Sequence, residues 1–212
     1  MRLLFLVRHG QTNWNIEGRF QGRRDIPLNS RGVLQAEAAA GALRRLRFGS
    51  IWSSPLSRAL QTAQRIAAPH ELDVSIQTDL TEICHGEWEG LRNTVVADRW
   101  PELLDEWHAS PETVTMPAGE SLNDVSVRSM RALRHIRTAS SEGNILVVAH
   151  DAVLKVLICH LLDAPLSSFW RFRLENGSMT VFDVQKDIPC LCVCGDTCHL
   201  GCAFDRTIQE GL

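Results

Sequence analysis

An uninterrupted apolar run near the start of the chain constrains the fold more than any other feature of the sequence. Residues 3–7 read Leu-Leu-Phe-Leu-Val, and Arg8, His9 and Gly10 follow at once. A strand without polar alternation is typical of the centre of a parallel sheet that is covered on both faces. Ligands of such sheets bind beyond the carboxyl ends of the strands, and Gly10 permits a sharp turn there. Arg8 and His9 are therefore candidates for a ligand site, with a hydrogen-bonded core histidine as the alternative.

A second apolar strand repeats this design. Residues 144–149 read Asn-Ile-Leu-Val-Val-Ala and lead directly into His150. Ser54 is the predicted N-cap of a helix that has Pro55 at its first position. An earlier helix should turn Leu34 and Leu46, with the alanines between them, toward the sheet. The remaining predictions are strands at 50–53, 73–77, 179–184 and 190–194, the last two as an antiparallel edge hairpin, and helices at 30–46, 54–68, 122–136 and 151–162.

Seven motifs follow the first apolar run in an order that resembles one known family. They are Arg-His-Gly-Gln-Thr-Asn-Trp-Asn at 8–15, Gly-Arg-Phe-Gln-Gly at 18–22, Asp-Ile-Pro-Leu at 25–28, Ser-Ser-Pro-Leu-Ser-Arg-Ala at 53–59, Leu-Thr-Glu-Ile at 80–83, Gly-Glu-Trp-Glu-Gly at 86–90 and Val-Val-Ala-His at 147–150. The chain resembles the histidine phosphatase superfamily, the phosphoglycerate-mutase-like enzymes, over most of its length.

The expected architecture is a single α/β domain over residues 1–212. It has three α/β/α layers, a mostly parallel central sheet and an antiparallel edge strand. Residues 83–121 contain three of the six tryptophans and several prolines, and do not look like a simple crossover between strands. We predict that they form a small helical cap inserted over the site.

The resemblance implies that His9 is a nucleophile that becomes phosphorylated during turnover. To attack, this histidine must be neutral, which a backbone or carboxylate partner on its other ring nitrogen would ensure. We expect it to be exposed at the strand end. Arg8 and Arg58 suit bidentate donation to phosphate oxygens, Arg58 from the first turn of the helix that Ser54 is expected to cap. His150 is the expected fourth member of this phosphate clamp.

The other candidate site residues also come from the motifs. Glu82 is by resemblance the general acid, later the base that activates water, and Glu87 and Glu89 are less favoured substitutes. Asn15 would donate an amide N–H to the phosphate, and Gln21 and Gly22 are further substrate-binding candidates. This scheme calls for no metal and no cofactor.

The charge balance and hydropathy exclude some partners. The formal net charge is −3 with 22% charged residues, so the chain lacks the overall basic field that nucleic acid or anionic membrane binding requires. No apolar run approaches the ~18 residues of a membrane span, and the first strand is too short for a signal peptide. We expect a cytoplasmic protein whose partner is a small phosphate ester.

Five of the seven cysteines lie close together, at positions 190, 192, 194, 198 and 202. A zinc site is one interpretation, but the alternation of Cys190, Cys192 and Cys194 would place three thiols on one face of a strand, and Cys-x-x-Cys pairs are absent. Packing as small apolar side chains is the favoured interpretation.

His85, three residues after the expected acid, could receive a substrate carboxylate. The tail Gly-Asp-Thr-Cys-His-Leu at 195–200 resembles the Asn-Asp-Thr-x-His-Leu tail of ribazole and phosphoserine phosphatases, with Gly195 departing from Asn. Together these features favour a metal-independent phosphoserine phosphatase. The alternatives are an α-ribazole phosphatase or broad-specificity sugar or phosphoglycerate phosphatase, a phosphoglycerate mutase and, from another class, a non-catalytic phosphate-binding protein. Relatives are often dimers, so we expect a homodimer.

Overall fold

The computed structural model describes residues 2–140 and 142–201, which fold around one six-stranded sheet of order β3-β2-β4-β1-β5-β6. The four strands β1 to β4 are mutually parallel, and β5 and β6 run antiparallel at one edge, as predicted. The strands are β1 (Leu3–Arg8), β2 (Phe48–Ser53), β3 (Val74–Ile76), β4 (Asn144–Ala149), β5 (Met179–Asp183) and β6 (Cys190–Asp196).

Helices cover both faces of this sheet. They are α1 (Asn13–Ile16), α2 (Ser30–Leu43), α3 (Ser57–Ala67), α4 (Asn93–Arg99), α5 (Pro101–Ala109), α6 (Leu122–Ala139) and α7 (Asp151–Leu161). Among the described residues, none of these helices is both long and apolar enough to cross a membrane.

The unbroken apolar character of β1 follows from its position in the sheet. Leu4 and Leu6 pack into the core that contains α6, α7 and residues 83–116, whereas Phe5 and Val7 pack into the core of α2 and α3. β1 pairs with β4 so that Arg8 lies opposite Ala149. His9 and His150 consequently leave the sheet side by side, at the same edge.

The inward face of α2 differs from the predicted one. Leu34 is 64% exposed, and the buried positions of the helix are Gly32, Ala36, Ala39 and Leu43. The cause is a backbone contact at the start of the helix, because a Cβ on Gly32 would collide with the Gln11 carbonyl and a Cβ on Gly10 would collide with the Gly32 carbonyl. This contact rotates α2 away from the face that leucine spacing alone predicts.

The start of α3 also differs from the prediction. The helix begins at Ser57, its N-cap residue Leu56 has no side-chain cap, and Ser54 lies outside the helix. The Asp25 carboxylate takes over the capping role, since it accepts from the Ser57 backbone N–H and hydroxyl, both at 2.7 Å. Ser54 is thereby available to the site described below.

The cysteines of β6 do not pack in the core. Cys190, Cys192, Cys194 and Cys198 are exposed, and Cys202 lies outside the described residues. Cys190 pairs with Asp183 and Val193 with Val181, so three steps on β6 match two on β5. This bulge breaks the alternation that would have aligned the thiols on one face. Within 2–140 and 142–201 there is no cluster of metal-ligating side chains.

Residues 83–121, predicted to be a cap, form α4, α5 and short 3₁₀ turns beside the carboxyl edge of the sheet. Trp88 and Trp107 are fully buried there, and the Trp170 indole N–H donates to the Trp107 carbonyl at 2.7 Å. The aromatic side chains of this segment therefore belong to the same hydrophobic core as β1, α6 and α7.

Candidate active site

Side chains from three neighbouring strand ends and from the 3₁₀ turn after β3 meet at the carboxyl edge of the sheet. The His9 and His150 rings lie 5.2 Å apart, centroid to centroid. Glu82 accepts from the N–H groups of Ala152 and Val153, two and three residues after His150, and Arg58 is near enough to influence the pKa of His9, Glu82 and His150. The fold thus brings together candidate residues that lie up to 142 positions apart in the chain, from Arg8 to His150.

His9 is held in the orientation that its proposed chemistry requires. Its Nδ1 lies 2.7 Å from the Gly10 carbonyl oxygen, to which it must donate, so the Nε2 lone pair is left for chemistry. Burial, followed by the charges of Arg58 and Arg8, lowers the pKa of His9 well below its usual value. The ring is therefore neutral. The expectation that it is exposed was wrong, because His9 is only 3% exposed and sits between the loop at 175–178 and β4.

Arg58 is a rigid cation. Its two terminal nitrogens donate to the carbonyls of Gly22 and Arg24, both at 2.8 Å, and its Nε is buried without a hydrogen-bond partner among the described residues. Desolvation lowers the pKa of Arg58 to about 10, with Glu82 and Asp25 opposing that shift. The guanidinium thus stays charged at neutral pH.

Arg8 is anchored by acceptors on two elements. It donates to the Leu174 carbonyl and lies 3.2 Å from an Asp151 carboxylate oxygen. Arg8 is 4% exposed and Asp151 is 2% exposed. Burial of both partners strengthens their attraction relative to a surface ion pair.

His150 contacts Ser54 rather than the backbone. Its Nε2 lies 2.7 Å from the Ser54 hydroxyl oxygen, which also accepts from the Leu56 N–H at 3.3 Å. That hydroxyl can donate to Nε2 or accept from it, and in either case it holds the ring through Nε2. Burial and the neighbouring Arg58 lower the pKa of His150 well below its usual value. Nδ1 is buried without a partner in the described part of the chain.

Glu82 faces the beginning of α7. Its carboxylate accepts from the Ile83 N–H at 2.9 Å and from the N–H groups of Ala152 and Val153 at 3.4 Å. Burial raises the pKa of Glu82, the Asp151 charge adds to this, and the Ile83 N–H and Arg58 act against it. A carboxyl with a raised pKa is suited to proton transfer near neutral pH.

The polar residues of the first loop support one another. The Asn15 side-chain oxygen accepts from the Thr12 N–H at 2.9 Å, which leaves the amide hydrogens directed elsewhere. The Gln21 side-chain oxygen accepts from the Thr12 hydroxyl at 3.0 Å. Gly22 has φ +50°, and a Cβ there would collide with the Glu89 carboxylate. Glu89 itself accepts from the Arg23 N–H, so it braces the loop on the outer side.

His85 is a fully buried histidine among aromatic rings. Neither Nδ1 nor Nε2 has a hydrogen-bond partner within the described residues. Burial, with Arg58 second, lowers the pKa of His85 to about 3. Its ring packs at 5.0 Å against Phe20 and at 6.5 Å against Trp107. A buried polar group without a partner is costly, so this ring is suited to a polar ligand atom.

Sequence reasoning missed three residues that contribute to the site. Ser54 was interpreted as a helix cap, although it supports His150. Asp151 was noticed only as a helix start, and Lys155 was not noticed. The detectable signal was a lysine four residues after an aspartate inside an otherwise apolar helix, which indicates a buried ion pair.

Comparisons with known proteins identify the family of this chain. Residues 4–196 match the model of the histidine phosphatase superfamily, branch 1. Phosphoserine phosphatase 1 of Hydrogenobacter thermophilus is 36% identical over 198 residues, 93% of this chain and 94% of that protein. The adenosylcobalamin/alpha-ribazole phosphatase of Escherichia coli is 31% identical over 193 residues, 89% of this chain and 93% of that protein.

The solved structures give the same result. The structure of Bacillus stearothermophilus YhfR matches with a TM-score of 0.90 at 30% identity. The match covers 94% of this chain and 100% of the YhfR chain. The chain belongs to the histidine phosphatase superfamily, and its α/β fold is that of the phosphoglycerate-mutase-like proteins. Its enzyme class is that of the phosphoric monoester hydrolases.

Proposed function

We propose that this protein is a metal-independent phosphomonoesterase that works through a phosphohistidine at His9 and hydrolyses O-phosphoserine to serine and phosphate. The observation that carries the proposal is the state of His9, which is neutral and buried among cations with Nε2 available. Neutral imidazole is the form that can attack phosphorus.

The phosphate clamp consists of Arg8, Arg58, His150 and the Asn15 amide. Arginines fit phosphate oxygens in a bidentate way, and preorganised donors stabilise charge that develops in the transition state. An incoming dianion would offset the arginine charges that lower the pKa of His150. Arg8 and Arg58 supply the positive charge that many phosphatases obtain from a metal ion, so we propose that turnover does not need one.

Glu82 is the proposed general acid for the departing alcohol. Its acidity is reduced by burial, and the nearby phosphate dianion would raise its pKa further. After the alcohol leaves, the same carboxylate is free to take a proton from the water that attacks the phosphohistidine. Glu87 is a poorer candidate because it is exposed, and Glu89 because it already accepts from the Arg23 N–H and lies 3.4 Å from Arg24.

The choice of phosphoserine rests on His85 and on the relatives. The ring nitrogens of His85, which have no hydrogen-bond partner among the described residues, offer a donor for a carboxylate in the wall beside Phe20. Binding of an anion would raise its low pKa, which favours donation. One relative at 36% identity is named a phosphoserine phosphatase.

A substrate panel tests this proposal. Phosphate release is measured with O-phosphoserine, 3-phosphoglycerate, α-ribazole phosphate, a sugar phosphate and p-nitrophenyl phosphate, each with and without EDTA. We expect the highest kcat/KM with O-phosphoserine and no effect of EDTA. Loss of activity in EDTA that magnesium restores would contradict the metal-independent scheme.

The His85→Gln variant sharpens the assignment of substrate. We expect it to lower kcat/KM about tenfold or more for O-phosphoserine but little for p-nitrophenyl phosphate, which has no carboxylate. His135→Gln is the matched control, because His135 is exposed and packs edge-on against Trp52, on β2 and away from the carboxylate site. Equal losses on both substrates would mean that His85 only packs.

α-Ribazole phosphatase, or a broader phosphatase activity, is the second candidate. It is favoured by the relative from Escherichia coli at 31% identity. In that case α-ribazole phosphate would be the best substrate of the panel and His85→Gln would not discriminate between substrates. We further propose that the protein is a cytoplasmic homodimer that takes part in serine biosynthesis. Size-exclusion chromatography with light scattering would test the dimer, and cell fractionation would test the location.

A further inference from the structure

Two charged residues that the catalytic scheme does not use are buried beside it, on α7. Asp151 is 2% exposed and Lys155 is 3% exposed, and their charged atoms lie 2.8 Å apart. The rest of this helix up to Leu161 is almost entirely apolar. Burying an ion pair carries a desolvation cost that a hydrophobic pair would avoid, so a pair retained here calls for a role.

Asp151 joins the phosphate clamp to the proposed acid. One carboxylate oxygen lies 3.2 Å from Arg8, and the other faces Lys155. Asp151 immediately follows His150, and the next two backbone N–H groups, of Ala152 and Val153, donate to Glu82. The first turn of α7 therefore contacts Arg8 through a side chain and Glu82 through the backbone.

Lys155 fixes this arrangement to an aromatic wall. Its ammonium lies 4.8 Å from the centre of the Phe169 ring and 4.4 Å from the centre of a Trp170 ring, within range of cation–π attraction. Trp170 in turn donates to the carbonyl of Trp107, whose ring packs against His85. Lys155 thus links Asp151 to the wall of the proposed carboxylate site.

The charges around Glu82 come from several elements. Arg58 of α3 stabilises the carboxylate, whereas Asp151 of α7 destabilises it by like charge. Arg128 of α6 donates to the Glu82 backbone carbonyl, and Lys155 faces Asp151 rather than Glu82. Asp151 and Arg58 therefore have opposite effects on the pKa of Glu82, the proposed acid.

We propose that Asp151 is a positioning residue that holds Arg8 in the phosphate clamp and sets the negative charge beside Glu82, while Lys155 balances that charge and ties Asp151 to the aromatic wall. This inference rests on the proposed function, because it assigns a role relative to Glu82 as the acid. The pair matters through its neighbours and does not touch the reacting atoms.

Variants with opposite charge changes test the proposal. Asp151→Asn should lower the pKa of Glu82, so the alkaline limb of the kcat/KM profile moves to lower pH by about half a unit or more, and KM rises several-fold because Arg8 loses its partner. Lys155→Met, which keeps the length of the side chain against Phe169 and Trp170, should move the same limb to higher pH. The double variant should return the limb toward the wild-type position.

The measurement uses the alkyl phosphate that the wild type hydrolyses fastest, because an alkoxide leaving group needs the acid. The titration of the substrate phosphate is common to all variants and cancels in their differences. Arg131→Met is the matched control, since it removes a cation from an exposed ion pair with Asp79 and should leave the profile unchanged. Thermal unfolding confirms that each variant is folded.

Three outcomes would overturn the inference. The first is a loss of activity without movement of the alkaline limb. The second is movement of the limb in the same direction for Asp151→Asn and Lys155→Met. The third is a Lys155→Arg variant whose alkaline limb does not coincide with that of the wild type. If Asp151→Asn does not fold, the contrast between Lys155→Met and Lys155→Arg still decides. A wild type that hydrolyses no alkyl phosphate would reject the proposed function rather than this inference.

Discussion

The ends of β1 and β4 have the same design, and yet they hold their histidines through different ring nitrogens. Both strands are apolar, run parallel, end at the same edge and lead into a buried histidine. At β1 the backbone carbonyl of Gly10 fixes the proton on Nδ1, which frees Nε2. At β4 the hydroxyl of Ser54 lies 2.7 Å from Nε2, and Nδ1 has no hydrogen-bond partner in the described part of the chain. The two rings are thus held through opposite nitrogens, and only His9 keeps Nε2 available for attack.

The largest effect should come from removing the β1 histidine. His9→Ala eliminates the proposed attacking nitrogen, so we expect less than about one-hundredth of the wild-type kcat on every substrate. The wild type, quenched in alkali during turnover of a labelled substrate, should carry phosphate that acid removes, and the variant should carry none. Higher residual activity, or labelling of the variant, would remove the distinction between the two strand ends.

The proposed acid belongs to the β4 side of this comparison, because Glu82 accepts from the first turn of α7. Glu82→Gln should slow the phosphorylation step about 10²- to 10⁴-fold for O-phosphoserine, and much less for p-nitrophenyl phosphate, whose leaving group needs little protonation. Single-turnover kinetics are required, since the second step also uses this residue. Equal losses on the two substrates would leave Glu82 with a structural role only.

A smaller loss is expected when the β4 histidine is removed. His150→Ala deletes one donor of the clamp, which should cost about 10²- to 10³-fold in kcat/KM, while phosphoenzyme still forms on His9. His160→Ala is the control on the same helix, because that ring is exposed and contacts Ser126 instead. Complete loss of labelling in His150→Ala would indicate that the two histidines do not have separate roles.

The smallest effect concerns the hydroxyl that orients the β4 ring. Ser54→Ala removes one neutral hydrogen bond and should lower kcat/KM about two- to tenfold. Ser53→Ala is a close control, since the Ser53 hydroxyl donates to a backbone carbonyl and not to His150. Steady-state kinetics at several pH values compare the two variants. Similar losses of kcat/KM in both would argue against a special role of Ser54.

The sequence predicted what depends on regular strands and on motifs. The β4 bounds agree with the structure, as does the antiparallel edge hairpin, because apolar runs and turn residues determine those features locally. The convergence of Arg8, His9 and His150 was also predictable, since parallel strands place their carboxyl ends at one edge.

The predictions were wrong where a residue distant in the sequence determines the local structure. Ser54 lies before Pro55 in a typical helix start, but Asp25, 32 positions from Ser57, caps the helix instead. The face of α2 depends on the backbone contact of Gly32 with residues 10 and 11, which no periodicity within the helix reveals. The bulge of β6 depends on its pairing with β5, so the exposure of the thiols could not be inferred from alternation.

The contact between Gly10 and Gly32 has a consequence for how this chain tolerates change. Each position excludes a methyl group because of the other segment's backbone, so the two glycines act as a single requirement that neither position can relax alone. Any side chain there would push the first turn of α2 away from the residue next to His9. The backbone that follows His9 therefore packs directly on the first turn of α2, and a variant library should find substitutions excluded at both positions.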